Sequence, residues 1–272
     1  WTDKFPNPTI LTTLQYVTIS STGNAQEFGD LTLARYGLSP MSNATRGLWF
    51  GGLTPTTTNV IDYVTISTQG NAADFGDGTQ SKQIAAGASN NTRGLTAGGR
   101  VSSNFDTDVI DYVTISTIGN AADFGNLSVQ RQNLVGSQSN SRAVFAGGYA
   151  SPGAGTNVID YVTFSTIGNA TDFGDLTVAR YVLGGASYIT IPSTGNATDF
   201  GDLTIARQPY NMGTSNSVRG IFGGGYSGPA DSNTIDYITI ASTGNAVDFG
   251  DMITIIDKAA AVSNGHGGLV GG

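Results

Sequence analysis

Cysteine is absent from this 272-residue chain, and His266 is its single histidine. Disulfide staples, thiolate zinc sites and a cysteine nucleophile are thereby excluded, as is any metal site built on several histidines. Glutamate occurs once, at Glu27, and charged residues make up only 12% of the chain, well below the usual quarter or so. Positive charge is scarcest: 12 Lys and Arg stand against 20 Asp and Glu, for a net charge of −8. A nucleic-acid groove or an anionic membrane surface needs clustered positive charge, so neither is expected as a partner. No apolar run approaches the roughly 18 residues of a membrane-spanning helix. Strong helix formers are few, whereas 39 glycines and abundant Ser and Thr favour turns and strands. The expected class is all-β. Beginning at Trp1 with neither Met nor signal peptide, the sequence reads as a processed chain or an excised piece.

What is present is one phrase, used six times. In "IDYVTISTIGNAADFG", residues 110–125, a Tyr opens a strand, Gly-Asn-Ala follows, and Asp-Phe-Gly closes it. The Tyr recurs at 16, 63, 112, 161, 188 and 237, in steps of 47, 49, 49, 27 and 49. Behind the phrase, in the full units, an apolar run ends in a Gly doublet, as in "LWFGG" ending at Gly52 and "AVFAGG" ending at Gly148. Each full unit reads as four short strands punctuated by Gly, Asn, Ser or Pro. In "VIDYVTI", residues 60–66, neither alternating face is plainly polar, so protein should cover both. Four antiparallel strands covered on both faces and repeated around a ring describe a β-propeller. The last unit stops just after its doublet and the first begins at the strand that should come next. The two chain ends are therefore expected to share one blade and close the ring, which also removes exposed sheet edges.

The 27-residue step contains its own apolar run and doublet, "YVLGG" ending at Gly185. It reads as a three-stranded unit in which Ala186 and Ser187 form a tight hairpin. The count is then six blades with one shortened; five blades plus an inserted hairpin is the alternative. Residues 1–11 form an arm and 12–272 a single propeller domain.

For the recurring residues a structural role ranks first. The Tyr and Phe series should pack between blades, each ring contributing about 1.5–3 kcal/mol. Stacking platforms for a ligand are the sharper alternative. The Gly doublets should permit backbone geometry denied to other residues. Arg46, Arg93, Arg142 and Arg219 recur before the doublet strand, and Asp62, Asp111, Asp160 and Asp236 before the Tyr; the two series are expected to pair. Carboxylates such as Asp74 with Asp77 and Asp172 with Asp175 read as turn caps rather than calcium ligands or an acid/base pair, because a catalytic pair should be singular. The Asp-Phe-Gly triplet lacks every other kinase element. Sequons at Asn169 and Asn196 are incidental. No catalytic residue, metal ligand or cofactor is expected.

The Gly doublet, the Tyr 11 to 13 residues on, and the aromatic 12 further resemble the kelch repeat. Kelch units usually carry Trp where this chain has Phe, and Glu-x-Tyr where it has Ile-Asp-Tyr. The resemblance implies a propeller serving as a binding module; the copper ligands of kelch-type oxidases cannot be matched here. More narrowly, "IDYVTISTxGNAxDFGDLTxAR" resembles repeats in structural proteins of tailed bacteriophages. That implies a virion component on a tail, fibre or capsid surface, with other virion or assembly proteins, a cell-surface glycan or a second copy as partners. The alternative is a secreted, extracellular propeller that binds or processes carbohydrate. Between units the strands barely change, whereas the segments after each doublet change wholesale. Loops on a rigid scaffold usually carry binding, which makes Arg100, Phe105, Tyr149 and Tyr226 the candidate contact residues.

Overall fold

The computed structural model describes residues 10–102, 105–151, 153–180, 185–188, 191–207, 213–227, 230–255 and 260–262. Their regular structure is all β, in a propeller arrangement with four four-stranded antiparallel sheets. The first sheet comprises Ser39–Ser42, Arg46–Phe50, Val60–Thr65 and Ala73–Asp77; the second, Ala86–Ser89, Arg93–Ala97, Val109–Thr114 and Ala122–Asn126. The third comprises Val135–Gln138, Arg142–Ala146, Thr156–Thr163 and Thr171–Arg180; the fourth, Gly213–Ser215, Arg219–Tyr226, Asp231–Thr239 and Val247–Asp251. In each, the strands pair in the order in which they occur along the chain. The phrases at Tyr16 and Tyr188 form two-stranded sheets, Thr13–Tyr16 with Gln26–Asp30 and Gly185–Tyr188 with Thr198–Asp202.

Coverage on both faces explains the apolar pattern of the strands. Ile61 packs in a cluster with Met41, Leu48, Phe50 and Phe75, to which the next sheet adds Val113 and Ile115. Val64, on the opposite face of the same strand, packs with Leu14, Leu31, Leu38 and Trp49. The Phe of the phrase thus lies between sheets as expected, and it also meets the Tyr of its own sheet edge-to-face, with Tyr112 and Phe124 centroids 5.8 Å apart. A one-residue bulge at this Phe recurs in each of the phrase's strand pairs; it bends the outer strand and brings its glycine forward.

That glycine explains why Gly-Asn-Ala and Phe-Gly-Asp travel together. The Gly119 N–H donates to the Phe75 carbonyl at 2.9 Å and the Ala121 N–H to the Asp77 carbonyl at 2.8 Å. The Asp77 N–H in return donates to Asn120 Oδ1 at 3.0 Å. The same three bonds join every phrase to the one before it, through Gly70 to Phe28, Gly168 to Phe124, Gly195 to Phe173 and Gly244 to Phe200. Gly23 then donates to Phe249 at 3.2 Å, so the first phrase is joined to the last. Asn169 and Asn196, the sequon residues, are two of these side-chain acceptors.

The irregular interval departs from its reading. Ala186 and Ser187 do not make a hairpin turn; they lie inside a strand, opposite Gly201 and Asp199. The preceding outer strand runs on to Arg180, which pairs with Thr156. Among the described residues this unit holds two strands, and residues 181–184 lie outside them. At the other end of the chain, Ala260 and Val262 pack against the cluster holding Leu14 and Trp49, beside the N-terminal hairpin. The shared terminal blade otherwise falls on residues 263–272, which with the arm residues 1–9 lie outside the described residues.

A Cβ on Gly125 would lie 2.4 Å from the Gly168 carbonyl oxygen, at φ 145°, whereas Gly119, at φ 158°, has nothing within 4 Å. Gly125→Ala is therefore expected to destabilise more than Gly119→Ala, which incurs only the backbone strain of about 1–3 kcal/mol. Denaturant unfolding of the two variants checks the order.

Candidate functional site

In four units the segment that leaves the outer strand carries a buried cation. Arg35, Lys82, Arg131 and Arg207 pair with Asp62, Asp111, Asp160 and Asp236 at 3.0, 3.1, 3.1 and 2.6 Å, with both side chains of every pair wholly buried. The acceptors are the Asp series singled out in the sequence, but the donors are not the expected Arg46 series. Arg46, Arg93, Arg142 and Arg219 instead lie over the rings of Tyr63, Tyr112, Tyr161 and Tyr237, at 4.9, 5.0, 4.7 and 4.6 Å. Each also donates to a carbonyl of the following unit, as Arg46 does to Ile115 at 2.9 Å. Spacing alone could not separate the two basic series, because both recur once per full unit.

The buried pairs tie the connecting segment to the sheet it enters. Thr32 and Thr204 donate both N–H and hydroxyl to Asp62 and Asp236, and Ser128 does the same to Asp160. Desolvation lowers the Lys82 ammonium from its ordinary value, and Asp111 opposes that shift. In the first unit Gln15 takes the acid's place and meets Ile253 N–H and Thr254 Oγ1, an uncharged substitute. Lys82→Met, which strands Asp111, should cost about 3–5 kcal/mol, and the double variant Lys82→Met/Asp111→Leu should recover much of it. Thermal and denaturant unfolding of the three proteins measures the coupling.

The same connecting segments meet the segments after the Gly doublets. Backbone bonds run both ways between Tyr36 and Leu53, Gln83 and Arg100, and Gln132 and Tyr149. Leu53, Arg100 and Tyr149 therefore hold equivalent positions on one face. The variable segments are short hairpins, Leu53–Thr54 with Thr56–Thr57 and Arg100–Ser102 with Phe105–Asp106. Neighbours touch: Thr57 Oγ1 donates to the Val101 carbonyl at 3.2 Å, and the Ser151 N–H to Asp106 Oδ2 at 3.1 Å. The structure thus brings Arg100, Phe105 and Tyr149 into one contiguous set of loops. Phe105 is 69% exposed, while Arg100 and Tyr149 are half-buried. Tyr226, also half-buried, ends the longer strand Arg219–Tyr226 and pairs with Asp231.

Two contributors to this face escaped the sequence reading. Asp106 and Asn133 each keep one buried side-chain oxygen without a hydrogen-bond partner, as Arg100 does its Nε. One donor and two acceptors are therefore left over beside the loops. Asn133 and its equivalents Ile84 and Gly37 all have positive φ, 55°, 50° and 70°. They are chained by Ile84 N–H to Gly37 O at 2.7 Å and Asn133 N–H to Ile84 O at 3.0 Å. For a β-branched residue such as Ile84 this conformation is strained, and the two flanking bonds hold it. The Asp-Phe-Gly carboxylates are exposed on the outer strands and not at turns; Asp123 and Asp172 accept from the N–H of Gly125 and Gly174 across the bulge. Among the described residues no group of three or more His, Cys, Asp or Glu is placed to hold a metal ion; His266 lies outside them.

Burial raises the Asp106 carboxyl above its ordinary value, against the Ser151 amide and Arg100. Between the ordinary value and the raised one, the folded chain keeps a proton that the unfolded chain has released, so this group's contribution to stability falls as pH rises. Asp106→Asn should remove that decline, as unfolding measured from about pH 3 to pH 7 would report.

No protein-family model and no curated protein sequence matches the chain. In structure it is similar to the protein solved as "Structure of YjhT", with a TM-score of 0.66 over 83% of this chain and 87% of that one, at 11% identity. At that identity the likeness concerns the fold, and it places this chain beside a solved structure of the same β-propeller kind.

Proposed function

We propose that the chain is a non-enzymatic binding scaffold: a kelch-like propeller of six blades, one shortened and one completed by both ends of the chain. The cycle of Gly-to-Phe hydrogen bonds through all six phrases supports that count, since the two-stranded unit at Tyr188 bonds to both neighbours as a full unit does. The loops after the Gly doublets are the contact surface. One observation carries this reading: identical backbone pairing at Leu53, Arg100 and Tyr149 supports segments that differ wholly in sequence. A rigid frame that varies only at one set of loops is built for recognition.

The setting that best suits such a scaffold is a virion surface, where it serves assembly or adhesion to a host; the likeness of the phrase to repeats of phage structural proteins supports this. A cell-surface glycan is the ligand the loops suit best. Exposed Phe105 supplies an apolar platform of the kind sugar rings pack on, with the half-buried Arg100 and Asp106 in the same hairpin beside it. A secreted carbohydrate-binding propeller is the second reading, favoured by the same atoms.

The purified chain, probed on an array of bacterial surface glycans, should bind a defined subset. Phe105→Ala/Arg100→Ala should weaken that binding at least about tenfold, or 1.4 kcal/mol, with unfolding unchanged. Silence across the array together with no capture of virion proteins would count against the reading. Turnover of a glycoside that a single carboxylate substitution abolishes would replace it with an enzymatic one.

A further inference from the structure

The short unit leaves one strand edge uncovered among the described residues. Gly185–Tyr188 pairs with Thr198–Asp202 alone. Its equivalents Val60–Thr65, Val109–Thr114, Thr156–Thr163 and Asp231–Thr239 each carry a further strand on their other edge. The third sheet precedes this place and the fourth follows it, joined through the Gly195 to Phe173 and Gly244 to Phe200 bonds. Only residues 181–184 separate Arg180 from Gly185. At about 3.3 Å per residue they are too few to run along that edge and return.

Both flanking sheets are open at the positions that would face a strand on that edge. On the third sheet Ser137 is exposed and Val135 and Ala146 are half-buried, whereas their register equivalents in the second, Ala88, Ala86 and Ala97, are buried. On the fourth sheet Phe222 and Ile238 are half-buried and Ile240 is 42% exposed, where the third sheet buries Phe145, Val162 and Phe164. The backbone shows the same opening. A Cβ on Gly87 would stand 1.7 Å from the Pro40 carbonyl oxygen of the sheet before, and one on Gly136 2.0 Å from that of Gly87. Gly213 holds the same register. Among the described residues its nearest neighbour is Phe222 of its own sheet, at 3.7 Å.

We propose that the short unit is a docking slot for an extended segment of a partner protein, which completes the unit by strand addition. The walls of the slot specify that segment. Between the second and third sheets, Phe145 packs in one cluster with Ala86, Ala88 and Ala97. In the slot, Val135, Ser137 and Ala146 offer an aromatic the same small-sided wall, while Phe222 opposite leaves space for a small residue. The segment therefore carries an aromatic followed by a small residue, as Phe145 and Ala146 do. An arginine belongs three residues before that aromatic. Arg46, Arg93, Arg142 and Arg219 each donate to a carbonyl of a later phrase, at Ile115, Phe164, Ile191 and Ile19. Among the described residues no such Arg reaches the equivalent carbonyl at Ile240. A net charge of −8 also favours a basic segment. Ser187 stands at the register position of the buried Asp160, so filling the slot covers no carboxylate there. The inference rests on the strand edge and goes beyond the reading of the loops, which it does not need.

The probe is the peptide Ser-Arg-Ala-Val-Phe-Ala-Gly, the sequence of residues 141–147. Titrated into the full chain by calorimetry, it should bind one to one. The same peptide with its Phe and the following Ala exchanged should bind at least about tenfold more weakly. In the free chain the amides of Gly185–Tyr188 should exchange hydrogen faster than those of Val109–Thr114, and the peptide should slow them. Ser137→Trp, at an exposed position on the wall of the slot, should abolish binding with melting unchanged. Ile240→Lys, which sets like charge against the arginine of the peptide, is the second variant should the first fail to fold. Ile118→Lys, exposed in the second unit, should bind as the native chain does. Absence of binding, or equal binding of the two peptides, overturns the proposal. So does a Gly185–Tyr188 strand already as protected in the free chain as Val109–Thr114, since the chain then fills the slot itself. Loss of peptide binding with glycan binding intact overturns the slot alone and leaves the reading of the loops standing.

Discussion

One close approach organises this protein: a carbonyl at Gly-Asn-Ala lying against the glycine of Phe-Gly-Asp in the unit before. The contact is tight enough that no side chain fits; a Cβ on Gly29 would stand 2.2 Å from the Gly70 carbonyl oxygen. Three hydrogen bonds per junction then hold adjacent outer strands in one register. Because the register is fixed at the rim, Phe75 reaches Val113 and Ile115 of the next sheet in the same way that Phe124 reaches Val162 and Phe164. The aromatic core is a consequence of the junction.

The buried ion pairs do a second job. A bare Asp62 or Asp111 inside a strand with both faces covered would be expensive, yet each accepts from a cation and from a hydroxyl or amide of the connecting segment. The segment that crosses between sheets is thereby pinned where it emerges, and the variable hairpins rest on it through the Gln83–Arg100 and Gln132–Tyr149 backbone pairs. Loops that vary in sequence thus stand on a repeated foundation.

The all-β class, the repeat and the strand boundaries were legible because Gly, Tyr and Phe return at fixed spacing and strands have a period of two. The loop candidates were legible for the same reason: Arg100, Tyr149 and Tyr226 each follow a doublet directly. Side-chain direction was not. The Arg46 and Arg35 series both recur in step with the Asp series, and only the fold reveals that one lies over a Tyr ring while the other reaches the carboxylate. The turn expected at Ala186 and Ser187 was misplaced because a Gly doublet followed by two small residues looks like a tight hairpin, whereas here those residues lie inside the strand Gly185–Tyr188; residues 181–184 lie outside the described residues. Asp106 gave no signal, since its role depends on Ser151 in the neighbouring unit.

The short unit has an implication for ancestry. It shows only an outer hairpin among the described residues, yet Gly195 and Phe200 still clasp the units on either side. Among the described residues, the clasps of this unit to both neighbours are made by its outer hairpin. A duplication or loss of some 27 residues, the length of that interval, would be the smallest genetic step able to widen or narrow the circle while leaving every remaining clasp intact.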